Sequence, residues 1–430
     1  MNYVQVVISF AASVFFANSL DTNAYGIYCS YLFLAGIVGS LIAFGADKTL
    51  VRDMIQSSAP DRVLIASAYT RLSLFCLALF GVFIFSTFMP NKNELWLLSI
   101  AVFIAGATAL APTAAYDVSK QMIRIQLSVF LERLIFVVSA VLILLQRPYQ
   151  DPVLDVLILL GINLCVKVMV LAWQWAFCGI AFRWPDKNLL KLAAKGFQQN
   201  APVVLAGISA LIYMNACPLL LRYTNGSSEV AIYSVAFQFV SLIIICQSQL
   251  LRTFIPSISN LLKSDDISTT TVLAEYRRIC HHGLMLTGAL CTVVFMASAF
   301  VITWFYKPEY QPAVLTMLPL LLFAILYWPA MVGGQFVLAA GAAKDYGRIN
   351  IQTLSVGLAV GPLLCVYCGA SGVAFGICLR EFINLFLYRK CLYKIYNVRP
   401  TWSGKRRLLG MTKPSKQQID LSSCTVTKAA

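Results

Sequence analysis

Charge is scarce in this chain. Asp, Glu, Lys and Arg make up 12% of its 430 residues, about half the share a soluble domain carries. With 59% of residues hydrophobic and a mean hydropathy of +0.77, no aqueous fold of this size could cover its core. Histidine is nearly absent, at two residues, and the 13 cysteines show no disulfide-framework spacing. Most of them (Cys76, Cys165, Cys246, Cys291 and Cys365) sit in apolar runs, where Cys acts as a small hydrophobe. No metal, cofactor or catalytic residue is therefore expected. A Walker sequence is also missing, since Gly341-Ala-Ala-Lys344 does not qualify, and so is a nucleotide-binding fingerprint. Transport driven by ATP bound to this chain is excluded on that ground.

What remains is an integral membrane protein. A helix needs about 20 apolar residues to cross the hydrocarbon core. Runs between polar breaks give twelve spans: 2–18, 24–45, 63–89, 94–116, 125–145, 153–182, 196–221, 229–255, 283–304, 312–340, 350–368 and 372–390. The first run has no basic residue before it, so it reads as a membrane helix rather than a secretory signal.

The excess of 33 basic over 18 acidic residues would suggest nucleic acid in a soluble protein. In a membrane protein it has a simpler origin, the collection of Lys and Arg on the cytoplasmic side. With the N-terminus inside, the inner connections and the tail from Arg389 hold 24 of the 33 cations. The outer connections hold Lys92, Arg147, Arg222 and Lys307. Both termini are therefore expected in the cytoplasm, with no nucleic-acid partner. The longest inner connection, 256–282, reads as a short amphipathic helix. The tail reads as disordered or lying on anionic lipid.

Two stretches match at an offset of 205 residues: "AYGIYCSYLF" at 24–33 and "VAIYSVAFQF" at 230–239, with Ile27 on Ile232 and Tyr28 on Tyr233. The basic stretch 183–195 divides the spans into two sets of six. The predicted organisation is an all-α membrane fold with an N-terminal lobe 1–182, a cytoplasmic linker 183–195, a C-terminal lobe 196–390 and a basic tail 391–430. Six is even, so the lobes share one orientation and are related by a pseudo-twofold axis along the membrane normal, an arrangement that alternates access by rocking. The motif tyrosines are expected as outer-interface anchors, and Trp173, Trp175, Trp304 and Trp328 as interface markers.

Several stretches carry a family resemblance. "NAYGIY" with "FGADKTLVRDM" at 44–54 resembles the opening of bacterial polysaccharide-export flippases. "VAIYSVAFQF" with "FIPSISNLL" at 254–262 is similar to the start of their second lobe. "FYKPEYQPAVLTMLPLLLF" at 305–323 and "GASGVAFG" at 369–376 resemble connections before their tenth and twelfth helices. Together they are similar to the Wzx-type O-antigen and polysaccharide flippases of the multidrug/oligosaccharidyl-lipid/polysaccharide exporter superfamily, over nearly the whole chain. The resemblance implies a MATE-like fold in the bacterial inner membrane. It also implies movement of undecaprenyl-pyrophosphate-linked oligosaccharide units from the cytoplasmic to the periplasmic leaflet. Other export and polymerisation proteins, and membrane lipids, are its implied partners.

Ionisable groups inside spans are costly and usually face a bundle interior. Five cations fall there: Arg71, Arg133, Lys167, Arg252 and Arg380. Arg252 is close enough to the inner surface to snorkel. Arg71, Lys167, Arg133 and Arg380 form the candidate cationic lumen, suited to a pyrophosphate because Arg offers a planar fork and Lys a point charge. Glu132 and Glu381 are the candidate groups for coupling to a proton or sodium gradient. Against that, Glu132–Arg133 and Arg380–Glu381 are sequence neighbours whose side chains diverge on a helix, so cross-helix charge pairing is the rival role. Gln198, Gln199, Asn200 and Asn215 mark the seventh span as either lumen-lining or glued to its neighbours. Pro202 and Pro218 are positioned to break that helix.

Three functions compete at this level: a lipid-linked oligosaccharide flippase, a cation-coupled multidrug exporter of the same fold, and a membrane polysaccharide polymerase or ligase. The first span lacks the carboxylate a cation exporter uses, and the outer connections are too short for an enzyme's loop. The flippase is favoured.

Overall fold

The computed structural model describes residues 2–44, 59–87, 92–119, 121–146, 151–180, 186–263 and 269–396, with single positions 50, 54 and 57. All regular structure among them is helical. In chain order the first half holds α1 (Asn2–Ser19), α2 (Thr22–Ala43), α3 (Pro60–Ser86), α4 (Lys92–Ala109), α5 (Thr113–Val118), α6 (Met122–Gln146) and α7 (Pro152–Phe177). The second half holds α8 (Lys187–Thr224), α9 (Ser227–Lys263), α10 (Thr269–Phe305), α11 (Ala313–Ala339) and α12 (Ala343–Ile395), with a 3-10 turn at Pro308–Tyr310. Among the described residues, nine segments are long and apolar enough to cross a membrane, and Val4–Ser19 is a shorter apolar helix.

Local chemistry sets several of these boundaries. Asp21, Asp151 and Asp186 precede α2, α7 and α8 and accept from the backbone N–H groups of Asn23, Val153 and Leu189, the bonds that satisfy free donors at a helix start. Phe44 closes α2 in a left-handed conformation, and Gly341 at φ 78° turns the chain from α11 into α12. Within the 53 residues of α12 the helix breaks at Gly369 (φ 56°, ψ −136°), where L side chains are strained. The next N–H, of Ala370, donates to Glu229 Oε2 of α9 at 2.9 Å, so a carboxylate caps the second limb from outside. This break falls in the gap between the last two spans read from sequence.

The helices carry large apolar side chains outward as well as inward. Phe80, Phe83, Trp304 and Tyr367 are exposed, whereas a continuous buried cluster joins α1, α2, α4, α6 and α7 to α8, α9, α11 and α12. The most extensive pairings are α11 with α12, α12 with α8, and α2 with α9 and α4. The α2–α9 contact brings the two copies of the repeated motif together, and it is very close. A Cβ on Gly26 would sit 1.7 Å from the carbonyl oxygen of Ser227.

Several local expectations change. The motif tyrosines are core residues rather than interface anchors. Tyr25, Tyr28 and Tyr233 are buried, Tyr25 meets Tyr310 edge-to-face, and its hydroxyl lies 2.7 Å from Ser13 Oγ. Trp328 is likewise fully buried and donates to the Ile279 carbonyl. Residues 187–195, expected in a linker, are the first turns of α8, and that helix runs on through Pro202 and Pro218. Residues 256–263 and 269–282 extend α9 and α10 rather than forming a separate helix. Both helices run on because apolar positions continue past the membrane-length core: Ile258, Val272 and Ile279 are buried in a second cluster with Trp328 and Phe336. The described cysteines are free, including Cys365 and Cys368, which have C-x-x-C spacing, and no group of three His, Cys, Asp or Glu able to hold a metal occurs among the described residues.

Candidate functional site

A cavity of about 840 Å³ lies between the two halves of the chain. The first half contributes a face of small residues on α2 (Ala35, Gly36, Gly39, Ser40, Ala43), then Arg133 of α6 and Asn163 and Lys167 of α7. The second half contributes Ser248 and Arg252 of α9, Gln335 of α11, and Asn350, Arg380, Glu381 and Asn384 of α12. Small residues on α2 leave the room; long polar side chains on the facing helices furnish it.

The cavity's charges fall into two kinds. Lys167 Nζ lies 2.8 Å from Glu132 Oε1, and Arg380 Nη1 lies 2.5 Å from Glu381 Oε1. The second pair is sealed, with Asn384 on Glu381 Oε2 at 3.2 Å and the Arg380 guanidinium over the Tyr213 ring at 5.5 Å. Arg380 Nε and Nη2 are buried without hydrogen-bond partners. Arg133 and Arg252, by contrast, are exposed, and no ion pair to either occurs among the described residues. The lining therefore offers two cations whose charge is uncompensated.

A second space of about 450 Å³ opens between α1, α2, α6 and α9. Its walls are mainly apolar (Val6, Phe10, Leu32, Phe33, Phe237, Ile245), with Gln5, Ser13 and Gln238 among them. Arg133 lines both spaces. On α9 the lining residues Ser234, Gln238, Ser241, Ser248 and Arg252 follow three- and four-residue steps, with Ile245 between them. They form one stripe that runs from the side cleft into the cavity.

The ends of the helices away from this cavity are tied together across the halves. Lys307 Nζ donates to the Leu20 carbonyl at 2.8 Å, and Tyr310 to that of Ala17 at 3.2 Å. Asn18 donates to the Phe305 carbonyl, and Thr22 to Glu309. Arg222 of α8 reaches Glu94 of α4 at 3.3 Å and stacks over Tyr31 of α2 at 5.0 Å. The cavity is closed at this end.

The residues singled out from sequence divide accordingly. Arg133, Lys167, Arg380 and Glu381 line the cavity, and Glu132 stands outside the lining, bonded to Lys167. Lys167 thus has the partner its sequence neighbourhood lacked. Arg380 and Glu381 pair with each other although adjacent, because burial leaves each carrying a charge that the other compensates. Arg71 is not in the lining; it is buried and donates to the Ala109 carbonyl at the end of α4 at 2.6 Å. Asn215 is also outside the lining and holds its amide against Gly36 of α2. The side chains of Gln198, Gln199 and Asn200 lie outside the described residues. Arg252 was read as snorkelling and is instead a cavity residue; the α9 stripe is the signal that points to it.

This geometry defines a polytopic membrane transporter with a basic, two-sided internal cavity. Residues 1–262 match the model of the polysaccharide biosynthesis protein family. The chain is 23% identical over 392 residues to the EPS I polysaccharide export inner membrane protein EpsE of Ralstonia solanacearum, an alignment covering 83% of this chain and 87% of that one. Among solved structures, lipid II flippase MurJ in an inward closed conformation superposes with a TM-score of 0.63 at 11% identity, over 92% of this chain and 89% of that one. An inward-facing MATE family multidrug transporter of the MOP superfamily gives 0.60 at 14% identity, over 91% and 96%. At these identities the structural likenesses establish the fold. The chain belongs to the polysaccharide biosynthesis protein family, as a membrane transporter of polysaccharide-export type.

Proposed function

We propose that this protein flips an undecaprenyl-pyrophosphate-linked oligosaccharide repeat unit, of O-antigen or a related surface polysaccharide, from the cytoplasmic to the periplasmic leaflet of the bacterial inner membrane. The observation that carries the reading is the position of Arg133. In such a substrate a pyrophosphate joins a lipid to a sugar; in the protein, an uncompensated arginine joins an apolar side cleft to a polar cavity. Arg252 supplies a second charge further along the same cavity. Arginine forks hold phosphate oxygens by charge-assisted bonds. The polyprenyl chain then lies in the cleft and out towards lipid, with the sugar among the amides and hydroxyls of α7, α9 and α12.

Transport proceeds by alternating access between lobes 1–182 and 196–390. Counting α1, α8 and the two limbs of α12 as separate crossings gives the twelve expected from sequence. The excess of Lys and Arg puts the cavity end and both termini in the cytoplasm. The tied end is then periplasmic and the state inward-facing. A proton or sodium gradient acts through Glu132 and Glu381. A cation exporter fits less well, since Arg133, Lys167, Arg252 and Arg380 outnumber the one lining carboxylate, Glu381.

The test is complementation of a strain that lacks the protein and its surface polysaccharide. Charge-assisted hydrogen bonds contribute roughly 1.5–3 kcal/mol each, so R133Q with R252Q should cut export by about a hundredfold or more at wild-type protein levels. Normal polysaccharide from the double variant would remove both arginines from the substrate path.

A further inference from the structure

Lys167 and Glu132 form the accessible ion pair of the cavity. The lysine lines it from α7; the glutamate on α6 stands outside the lining and takes one of the three ammonium donors at 2.8 Å. Their side chains are 15% and 13% exposed, whereas Arg380 and Glu381, at 1% and 2%, are out of reach of a ligand in the cavity. An anion entering this space therefore meets three reachable cations, Arg133, Arg252 and Lys167, one of them already neutralised. The charge that remains is two.

A pyrophosphate esterified at both ends carries two negative charges. A site that is to release such an anion again must not bind it too tightly, since transport requires binding weak enough to leave. We infer that Glu132 is an internal counter-ion that trims the cavity's charge to that of its substrate, holding Lys167 in reserve so that the pyrophosphate is both captured and let go. This rests on the proposed substrate class and assigns Glu132 a role that a purely structural salt bridge would not have. Neutralising the glutamate uncovers a third cation. Affinity for the anion should rise while export falls.

The experiment measures binding of farnesyl pyrophosphate, a monoester with one negative charge more than the doubly esterified substrate, to the purified full-length protein, with farnesol as the control for the lipid tail. A unit charge about 6 Å away, in a water-filled cavity of effective dielectric constant between about 20 and 80, shifts anion affinity by roughly three- to a hundredfold. E132Q should tighten farnesyl pyrophosphate binding by about that factor, leave farnesol unchanged, and lower surface polysaccharide in cells. The double variant E132Q/K167Q removes a neutral pair and should bind farnesyl pyrophosphate about as tightly as wild type. Where E132Q does not accumulate, E132M removes the charge at similar length and should give the same gain. Unchanged or weaker binding in folded E132Q or E132M, or a double variant E132Q/K167Q that keeps the full gain over wild type, would overturn the inference while leaving the substrate reading intact. A wild-type protein that binds farnesyl pyrophosphate no better than farnesol would sink the substrate reading itself, and this inference with it.

Discussion

Replacing Gly26 with alanine should loosen the closed end of the transporter. The added Cβ would lie 1.7 Å from the carbonyl oxygen of Ser227 and 2.5 Å from its carbon. Carbon and oxygen atoms settle near roughly 3.3–3.6 Å even in favourable C–H···O contacts, so the starts of α2 and α9 must part by about 1.6–1.9 Å. The obstacle is backbone, which no rotamer change can move. Its surroundings, with Tyr25, Ala231 and Tyr233 buried, are too densely packed to absorb the shift. Overpacking of this kind costs about 1–3 kcal/mol. If the two helices separate there when the cavity opens to the other side, the cost falls on the closed state alone. The open-to-closed ratio then changes by roughly 5- to 150-fold. The reporter is a cysteine at Ser248, a cavity position, in a background with the native cysteines replaced. Labelling of S248C by an impermeant maleimide from the periplasmic face should speed up by that order with G26A, and the melting temperature in detergent should fall. Unchanged labelling with a lowered melting temperature would make the contact purely structural and refute the gate. No change in either would refute the close approach of α2 and α9.

Two further outcomes follow from neighbouring geometry. R222A removes a partly exposed ion pair with Glu94 and a cation–π contact with Tyr31, worth together about 1 kcal/mol, so S248C labelling should rise less than with G26A; a rise as large would mean that the helix contact adds little to closure. R71M leaves the Ala109 carbonyl without its donor and should destabilise the protein by about 1–3 kcal/mol in thermal unfolding, with farnesyl pyrophosphate affinity unchanged; lost affinity at full stability would return Arg71 to the substrate path.

The helices were legible because membrane spans obey a length rule that composition alone reveals. The sequence spans 24–45, 125–145 and 312–340 begin or end within a few residues of α2, α6 and α11. What the length rule could not say is where a helix stops once it leaves the apolar core. Asp186 caps α8 in the midst of basic residues, and buried Ile258 carries α9 past Pro256 to Lys263, so stretches read as connections are helix. The burial of Tyr28, Tyr233 and Trp328 was missed for a related reason. Aromatic side chains with one polar atom suit both a headgroup interface and a packed interior, and sequence carries no information on which helix stands opposite.

The site was legible as a set of residue types and illegible as a set of partners. Finding charged residues inside spans needed no structure, because each is costly in hydrocarbon wherever it points. Their roles depended on neighbours 35 residues, one residue and 38 residues away: Glu132 for Lys167, Glu381 for Arg380, a backbone carbonyl for Arg71. Arg252 shows the reverse. Read alone, near the end of a span, it was long enough to reach water and was set aside for that reason. Read with Ser234, Gln238, Ser241 and Ser248, it is the last member of a polar stripe at helical spacing, and that stripe lines the side cleft and the cavity. Periodicity of polar positions, rather than the charge of any one of them, is what distinguishes a cavity-lining helix from one that merely ends at the interface.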